Sequence, residues 1–212
     1  IAGFGNCQIF MPGRGVHTCI DFHGKTPIAA TADMWQDRLI AETRDGFGFV
    51  LEDNINDVGY QAITTPGSLK AYSEAVDEFG TYDWGDICQP AIEYAQQGFI
   101  IRPAVYNWWM SGASLGRADV TSRLKHTPAS QRLYFDANDE LRKVGDRLQN
   151  PDLARTLERI ATQGADCFYT GDIAEEIAAD MAANGGLLSL EDLSQYETTR
   201  NANRNHTYQR YV

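Results

Sequence analysis

The chain has 212 residues, 43% of them hydrophobic, and a formal net charge of -11, because 29 Asp and Glu residues outnumber 18 Lys and Arg residues. This length and apolar content suffice for the core of one domain, which excludes an intrinsically disordered protein. No Lys/Arg cluster interrupts the acidic balance, which argues against nucleic acid as a partner, and no apolar run approaches the roughly 20 residues of a membrane-spanning helix.

The N-terminal part predicts a β-hairpin. Apolar, branched and aromatic residues fill 7–11 and 16–22, and the turn residues Pro12-Gly13-Arg14-Gly15 join them. A helix is expected to begin after Thr31, and a glycine-punctuated loop is expected from Gly46 to Gly59. The apolar side of that helix would carry Met34, Trp35, Leu39 and Ile40.

The middle of the chain predicts three helices and then a polar segment. Leu69, Tyr72, Val76 and Phe79 recur at spacings of three and four, which predicts a helix over 68–79 with these side chains facing the core. Further helices are expected over 84–97 and 103–110. Between Gly112 and Leu148 only Leu133-Tyr134-Phe135 predicts a strand. The basic residues of this segment are Arg117, Arg123, Lys125, Arg132, Arg142, Lys143 and Arg147.

The C-terminal part predicts three capped helices in close succession. Asn150 can accept from free backbone N–H groups, Pro151 suits a first turn, and Gly164 can end the helix in a left-handed conformation. The second helix carries an apolar stripe and ends at 184–186; its stripe is Ile173, Ile177 and Met181.

The third helix opens with a capping box. Ser189 followed by Asp192 can satisfy each other's backbone N–H groups, and the helix then presents Leu193 and Tyr196 to a core. Beyond it, residues 207–212 have the composition of an edge strand.

Two blocks of sequence carry a family resemblance. Residues 153–196, LARTLERIATQGADCFYTGDIAEEIAADMAANGGLLSLEDLSQY, closely resemble the large subunit of the gamma-glutamyltranspeptidase family, in the N-terminal nucleophile (Ntn) hydrolase superfamily. Thr65-Pro66-Gly67 and, in the family's order, QPAIEYAQQGF at 89–99 are similar to a turn and a helix of the same subunit. The resemblance implies an α+β fold, part of a four-layer α/β/β/α sandwich, in which this chain is helix-rich with a β-hairpin near its N-terminus. Residues 1–212 are expected to be a single domain, an incomplete part of that large subunit.

The resemblance also implies an activity. Family members are amide hydrolases and acyltransferases that form an acyl-enzyme on a Thr exposed by autocatalytic cleavage of a precursor, and the acyl group passes to water or to an amino acid or peptide. That Thr is expected beyond Val212, so the chain itself is expected to hold no catalytic residue, no metal and no cofactor. The implied partners are the small subunit of the same precursor and a small-molecule amide or gamma-glutamyl substrate.

One motif of the family is altered in this chain. The large subunit of the family carries an Arg, within the pattern D-[FY]-R-E-x-A-P, that holds the α-carboxylate of a gamma-glutamyl substrate. The corresponding residues 21–27 are DFHGKTP, with His23 in place of the Arg and Gly24 in place of the Glu. A mostly neutral imidazole lacks the two parallel donors of a guanidinium, whereas Lys25, on the same side of an extended segment, offers a compact positive charge. His23 and Lys25 are therefore the candidate substrate-binding residues, and a shifted acyl specificity is expected.

Several alternatives remain open from the sequence. His23 can equally be a hydrogen-bonded loop residue without substrate contact, and Trp108-Trp109-Met110 can be core rather than an acyl-binding wall. A family relative that has lost catalysis and acts as a binding or scaffolding protein would also lack the Arg. The compartment stays open between periplasm or secretion and cytoplasm, and any signal peptide would precede Ile1.

Overall fold

The computed structural model describes residues 3–201, which form nine helices, seven strands and four short 3-10 helices. The strands are β1 Asn6–Met11, β2 Val16–Asp21, β3 Leu39–Glu42, β4 Phe49–Leu51, β5 Phe99–Ile100, β6 Arg147–Leu148 and β7 Thr199–Asn201. The helices are α1 Ser68–Phe79, α2 Trp84–Gln97, α3 Pro103–Trp109, α4 Val120–Lys125, α5 Pro128–Tyr134, α6 Pro151–Gln163, α7 Asp166–Tyr169, α8 Asp172–Ala183 and α9 Leu190–Ser194.

The predicted N-terminal hairpin is confirmed. Strands β1 and β2 pair antiparallel, with Asn6 opposite Asp21 and Met11 opposite Val16, and β7 pairs with the other edge of β2. Gly15 closes the turn at a φ of 64°, a left-handed conformation that costs glycine little. The edge strand predicted at 207–212 lies outside the described residues.

The helix signals of the C-terminal part are also confirmed. The Asn150 side chain accepts from the backbone N–H of Leu153 at 3.0 Å, and Gly164 ends α6 at a φ of 85°. At α9, Ser189 Oγ accepts from the Asp192 N–H at 3.2 Å, while Asp192 Oδ2 accepts from the Ser189 N–H at 2.8 Å. Between these helices lies α7, a single turn that the pattern did not reveal.

The helix predicted after Thr31 is wrong. A 3-10 turn at Gln36–Arg38 leads instead into β3, which pairs antiparallel with β4. Thr43 Oγ1 donates to Asp45 Oδ1 at 2.7 Å and Gly46 takes a φ of 70°, so a tight turn folds the chain back at this point. Gly46 and Gly48, which predicted only a loop, therefore lie in the turn of a second hairpin.

The strand predicted at 133–135 is wrong as well. Thr127 accepts from the backbone N–H of Ser130 at 3.1 Å and Pro128 occupies the first turn, so α5 begins here and extends to Tyr134. Only Phe135 makes a bridge, with Leu141. The N-cap signal outweighs the β-propensity of three apolar residues.

Helix α1 has the predicted bounds, and its predicted core face is confirmed in part. Leu69 is buried and Val76 and Phe79 are half-buried, whereas Tyr72 is 53% exposed and meets Phe22 in a T-shaped contact; Ala71, which was not predicted, is buried. Ala71 joins Ile20 and Phe22 in a small core between the helix and the sheet. The close approach of α1 to β2 therefore uses a small residue and turns the aromatic one outward.

The main core lies under the C-terminal helices, where Ile160 and Leu193 are fully buried. Each such side chain contributes about 1.5–3 kcal/mol of transfer free energy. Helices α2 and α6 pack together, and Trp84 Nε1 donates to the Ile160 carbonyl at 3.0 Å. The α+β, helix-rich fold with an N-terminal hairpin is confirmed, and no helix within residues 3–201 has the length and apolarity to cross a bilayer.

Candidate functional site

The altered motif lies where β2 ends and the chain meets the turn before α1. Phe22 N donates to the Gly5 carbonyl at 2.9 Å, and Lys25 and Thr65 exchange backbone hydrogen bonds of 3.3 and 2.8 Å. Thr65 is only 1% exposed. Main-chain bonds on both sides of His23 thus hold the motif extended, as the predicted same-side placement of His23 and Lys25 requires.

Two glycines allow this close approach. A Cβ on Gly24 would collide with the Oγ1 atom of Thr64, so a glutamate could not stand here without moving the turn. A Cβ on Gly67 would collide with the Tyr196 hydroxyl and with the Phe22 carbonyl. Gly24, which replaces the Glu of the family pattern, is therefore a residue that fits the space beside Thr64.

Two tyrosines hold the motif and the neighbouring turn in place through hydrogen bonds to main-chain carbonyls. Tyr196 OH donates to the His23 carbonyl at 2.9 Å, and Tyr169 OH donates to the Pro66 carbonyl at 2.9 Å. Their rings stack with centroids 5.9 Å apart. Burial raises the pKa of both phenols, so each hydroxyl stays protonated and keeps donating at neutral pH.

The imidazole of His23 is oriented by Asp21. Nδ1 lies 2.5 Å from Asp21 Oδ1, and the ring stacks on Phe4 with centroids 5.5 Å apart. Hydrogen bonds from the His23 side chain and backbone, and another from Asn201 Nδ2 at 3.0 Å, keep the pKa of Asp21 below its ordinary value. An ionised carboxylate only accepts hydrogen bonds, so the proton of the neutral imidazole resides on Nδ1. Nε2 is left as an acceptor on a side chain that is 61% exposed.

Lys25 is exposed and makes no ion pair within residues 3–201. Its ammonium lies 5.0 Å from the centroid of the Tyr196 ring, within range of a cation–π interaction. Tyr196 thus contacts both candidate residues, the backbone of His23 through its hydroxyl and the ammonium of Lys25 through its ring face.

An apolar cleft of about 660 Å³ begins at Thr26, directly after Lys25. The second hairpin forms one wall, which explains why sequence patterns that predicted a helix there did not reveal the cleft. Trp35 Nε1 donates to Gln61 Oε1 at 2.9 Å and fixes the indole at the wall. The apolar lining includes Pro27, Met34, Trp35, Leu39, Phe49, Leu51, Ile63 and Leu187.

Of the segment Trp108-Trp109-Met110, only Trp109 fits the core alternative. It is 5% exposed and belongs to a core with Ile101 and Phe135, whereas Trp108 and Met110 are exposed. Within residues 3–201, no group of three or more His, Cys, Asp and Glu side chains is arranged to hold a metal ion.

Comparison with known proteins gives consistent results. Residues 5–212 match the family model described as Gamma-glutamyltranspeptidase. The glutathione hydrolase proenzyme of Escherichia coli (strain K12) is 32% identical over 92% of the chain, and the Acylase ACY 1 proenzyme of Pseudomonas sp. (strain V22) is 35% identical over 86%. The chain covers 31% and 30% of these two relatives.

A solved structure of similar fold is the gamma-glutamyltranspeptidase of Helicobacter pylori. It superposes with a TM-score of 0.82 at 27% identity, and the match covers all of this chain and 55% of the solved chain. The chain therefore spans about a third of the curated relatives and about half of this structural relative.

Proposed function

The chain belongs to the gamma-glutamyltranspeptidase family, and from that premise we propose that it is the large-subunit portion of an amide hydrolase or acyltransferase. Two kinds of relative support the proposal, a glutathione hydrolase proenzyme and an acylase proenzyme, each about three times as long as this chain. In this proposal residues 1–212 form one domain, and the small subunit of the same precursor supplies the nucleophile.

The proposed reaction has two steps. The hydroxyl of an N-terminal Thr of the small subunit attacks the amide carbon, its α-amine takes up the hydroxyl proton, and that proton leaves with the departing amine. The resulting ester is then attacked by water or by an amino acid or peptide amine. This releases an acid or a new amide and restores the Thr hydroxyl.

The role proposed for this chain is to bind the acyl group. Lys25 directly precedes Thr26, which lines the apolar cleft, and the volume of that cleft, about 660 Å³, suits an acyl chain. Because Asp21 occupies Nδ1–H, His23 offers a substrate only Nε2, whose lone pair in the neutral imidazole accepts from a hydroxyl, an ammonium or an amide N–H. An α-carboxylate would find no pair of parallel donors on His23 and would depend on Lys25.

The geometry of the Asp21–His23 pair is the observation that carries the proposed specificity. We expect acyl groups without an α-carboxylate to be transferred in preference to gamma-glutamyl groups. An Arg would bind that carboxylate through two parallel N–H donors, whereas His23, with Nδ1 held by Asp21, can present at most one.

The test uses the protein expressed from the whole gene that encodes this chain. Hydrolysis of a gamma-glutamyl anilide and of a non-glutamyl acyl anilide is compared for the wild type, for His23→Arg and for the control His17→Arg, an equal change on an exposed residue of the hairpin. His23→Arg is expected to raise the gamma-glutamyl to acyl ratio of kcat/KM about tenfold, equivalent to about 1.4 kcal/mol, and His17→Arg to leave it unchanged.

Two outcomes would count against the proposal. A wild-type preference for the gamma-glutamyl anilide that His23→Arg does not increase would contradict the role of His23. No hydrolysis of either anilide by any of the three proteins would contradict the enzymatic function itself and would favour a non-catalytic binding role.

A further inference from the structure

The basic residues of the polar segment 112–148 divide into two groups. Four of them pair with carboxylates: Arg117 with Asp45, Arg123 with Asp57, Lys125 with Asp139 and Lys143 with Glu140. The other three, Arg132, Arg142 and Arg147, have no carboxylate within 4.0 Å in the part of the chain that the structure describes.

The three unpaired arginines line one polar cleft of about 620 Å³. Two of them are fixed by main-chain carbonyls: Arg142 Nε donates to Leu133 O at 2.9 Å, and Arg147 NH1 donates to Gln97 O at 3.1 Å. Their remaining N–H groups make no hydrogen bond to a side chain in residues 3–201. The neutral polar lining comes from Ser130, Gln149, Asn150 and Thr156.

The first turn of α6 lies in the same cleft. This helix has 13 residues, so its N-terminus adds a partial positive charge beside the three guanidinium groups. The acidic residue in the lining is Asp152, which is already paired with Arg155. Positive charge thus predominates in this cleft although the whole chain carries a net charge of -11.

Two further carboxylates lie close by, because Asp136 and Asp139 both line a depression that adjoins Arg132 and Arg142. Asp139 is paired with Lys125. Asp136 Oδ1 accepts the backbone N–H groups of Asn138 at 2.8 Å and Glu140 at 3.0 Å, and these bonds lower the pKa of Asp136.

We propose that this cleft binds a small polyanion, a molecule with two or more carboxylate or phosphate groups. Guanidinium groups present paired N–H donors that match the oxygens of both anions, and several of them around one cleft favour several anionic groups on one ligand. No residue lines both this cleft and the apolar cleft near His23.

Isothermal titration of the protein expressed from the whole gene, at constant ionic strength, tests the proposal. The probes are citrate for carboxylates, pyrophosphate for phosphates, and acetate as the single-charge comparison. At least one polyanion is expected to bind with one site and a Kd of about 1 mM or lower, and acetate is expected to bind at least about tenfold more weakly.

Arg132 is the residue to replace, because it lines the cleft, is exposed and makes no side-chain hydrogen bond to residues 3–201, so we expect its replacement to leave the fold intact. Arg132→Gln should weaken polyanion binding about tenfold and Arg132→Glu should abolish it. The matched control is Arg38→Gln, which removes an exposed arginine that lines none of these clefts. Thermal melting without ligand confirms that the variants fold.

Three results would overturn the proposal: no saturable binding of citrate or pyrophosphate, equal affinity for acetate, or equal weakening by Arg132→Gln and Arg38→Gln. Binding of one polyanion class alone supports the site and identifies the anionic group that it prefers.

Discussion

At the scale of single residues, His23 depends on neighbours that are distant in sequence. The motif DFHGKTP alone identified His23 and Lys25, and Asp21 stands in the same motif. The hydroxyl of Tyr196 donates to the His23 carbonyl across 173 positions of sequence. No local pattern indicates this contact, because the sequence predicts Tyr196 only as an apolar residue of a short helix. Sequence patterns find local motifs, whereas a long-range hydrogen bond appears only in the fold.

Gly67 gives a prediction at this scale. Gly67→Ala should lower the free energy of unfolding by about 1–3 kcal/mol, because the new methyl group meets the Tyr196 hydroxyl and the Phe22 carbonyl. Urea unfolding measures the change. Gly13→Ala is the control, since a Cβ there meets no atom within 4 Å, and equal stability of the two variants would contradict the packing of the turn on Tyr196.

At the scale of elements, helices with an explicit cap were predictable and strands formed by a tight turn were not. Asn150 and Ser189 each predict the start of a helix, because each side chain accepts a backbone N–H group only three residues further along the chain. The pairing of β3 with β4 depends on a turn at Thr43–Gly46, and the apolar residues of β3 also fit a helical spacing. Where the apolar spacing of a segment fits both a helix and a strand, pairing with a partner strand determines which of the two forms.

The capping box of α9 can be measured directly. Ser189→Ala should cost about 1 kcal/mol of unfolding free energy, because the N–H of Asp192 loses its acceptor at a helix end whose Leu193 is fully buried. Ser73→Ala, on the body of α1, is the control and should cost less than about 0.5 kcal/mol. Equal costs in urea unfolding would show that the cap is not a stabilising element.

The second hairpin is expected to be acid-sensitive. Hydrogen bonds from Arg117, Thr43 and the Phe47 backbone lower the pKa of Asp45 from 3.8 to about 2. A carboxyl whose pKa is lower in the folded state stabilises the fold above its unfolded pKa, and this contribution disappears as the pH falls from about 4 to about 2. Urea unfolding at stepped pH should show a smaller loss over this window in Arg117→Gln than in the wild type. Identical pH profiles would contradict the coupling.

At the scale of the whole molecule, the resemblance predicted the family and the fold class, and the residues explain why the arrangement is stable. The C-terminal helices enclose the main core, and Tyr169 and Tyr196 connect that core to the turn that supports His23. Packing of the helices therefore sets the position of the candidate acyl-binding residues. The cleft proposed to bind a polyanion was not predictable from the sequence. Its segment contains seven basic residues, and only the fold shows that four of them pair with carboxylates and three do not.

If this chain is the large-subunit portion of a self-processing amide hydrolase or acyltransferase, the protein purified from the whole gene should consist of two polypeptides, the smaller beginning with a Thr. Intact-mass measurement decides this. Replacement of that Thr by Ala should leave a single uncleaved polypeptide. A wild-type protein that remains one full-length polypeptide after prolonged incubation would exclude the proposed self-processing.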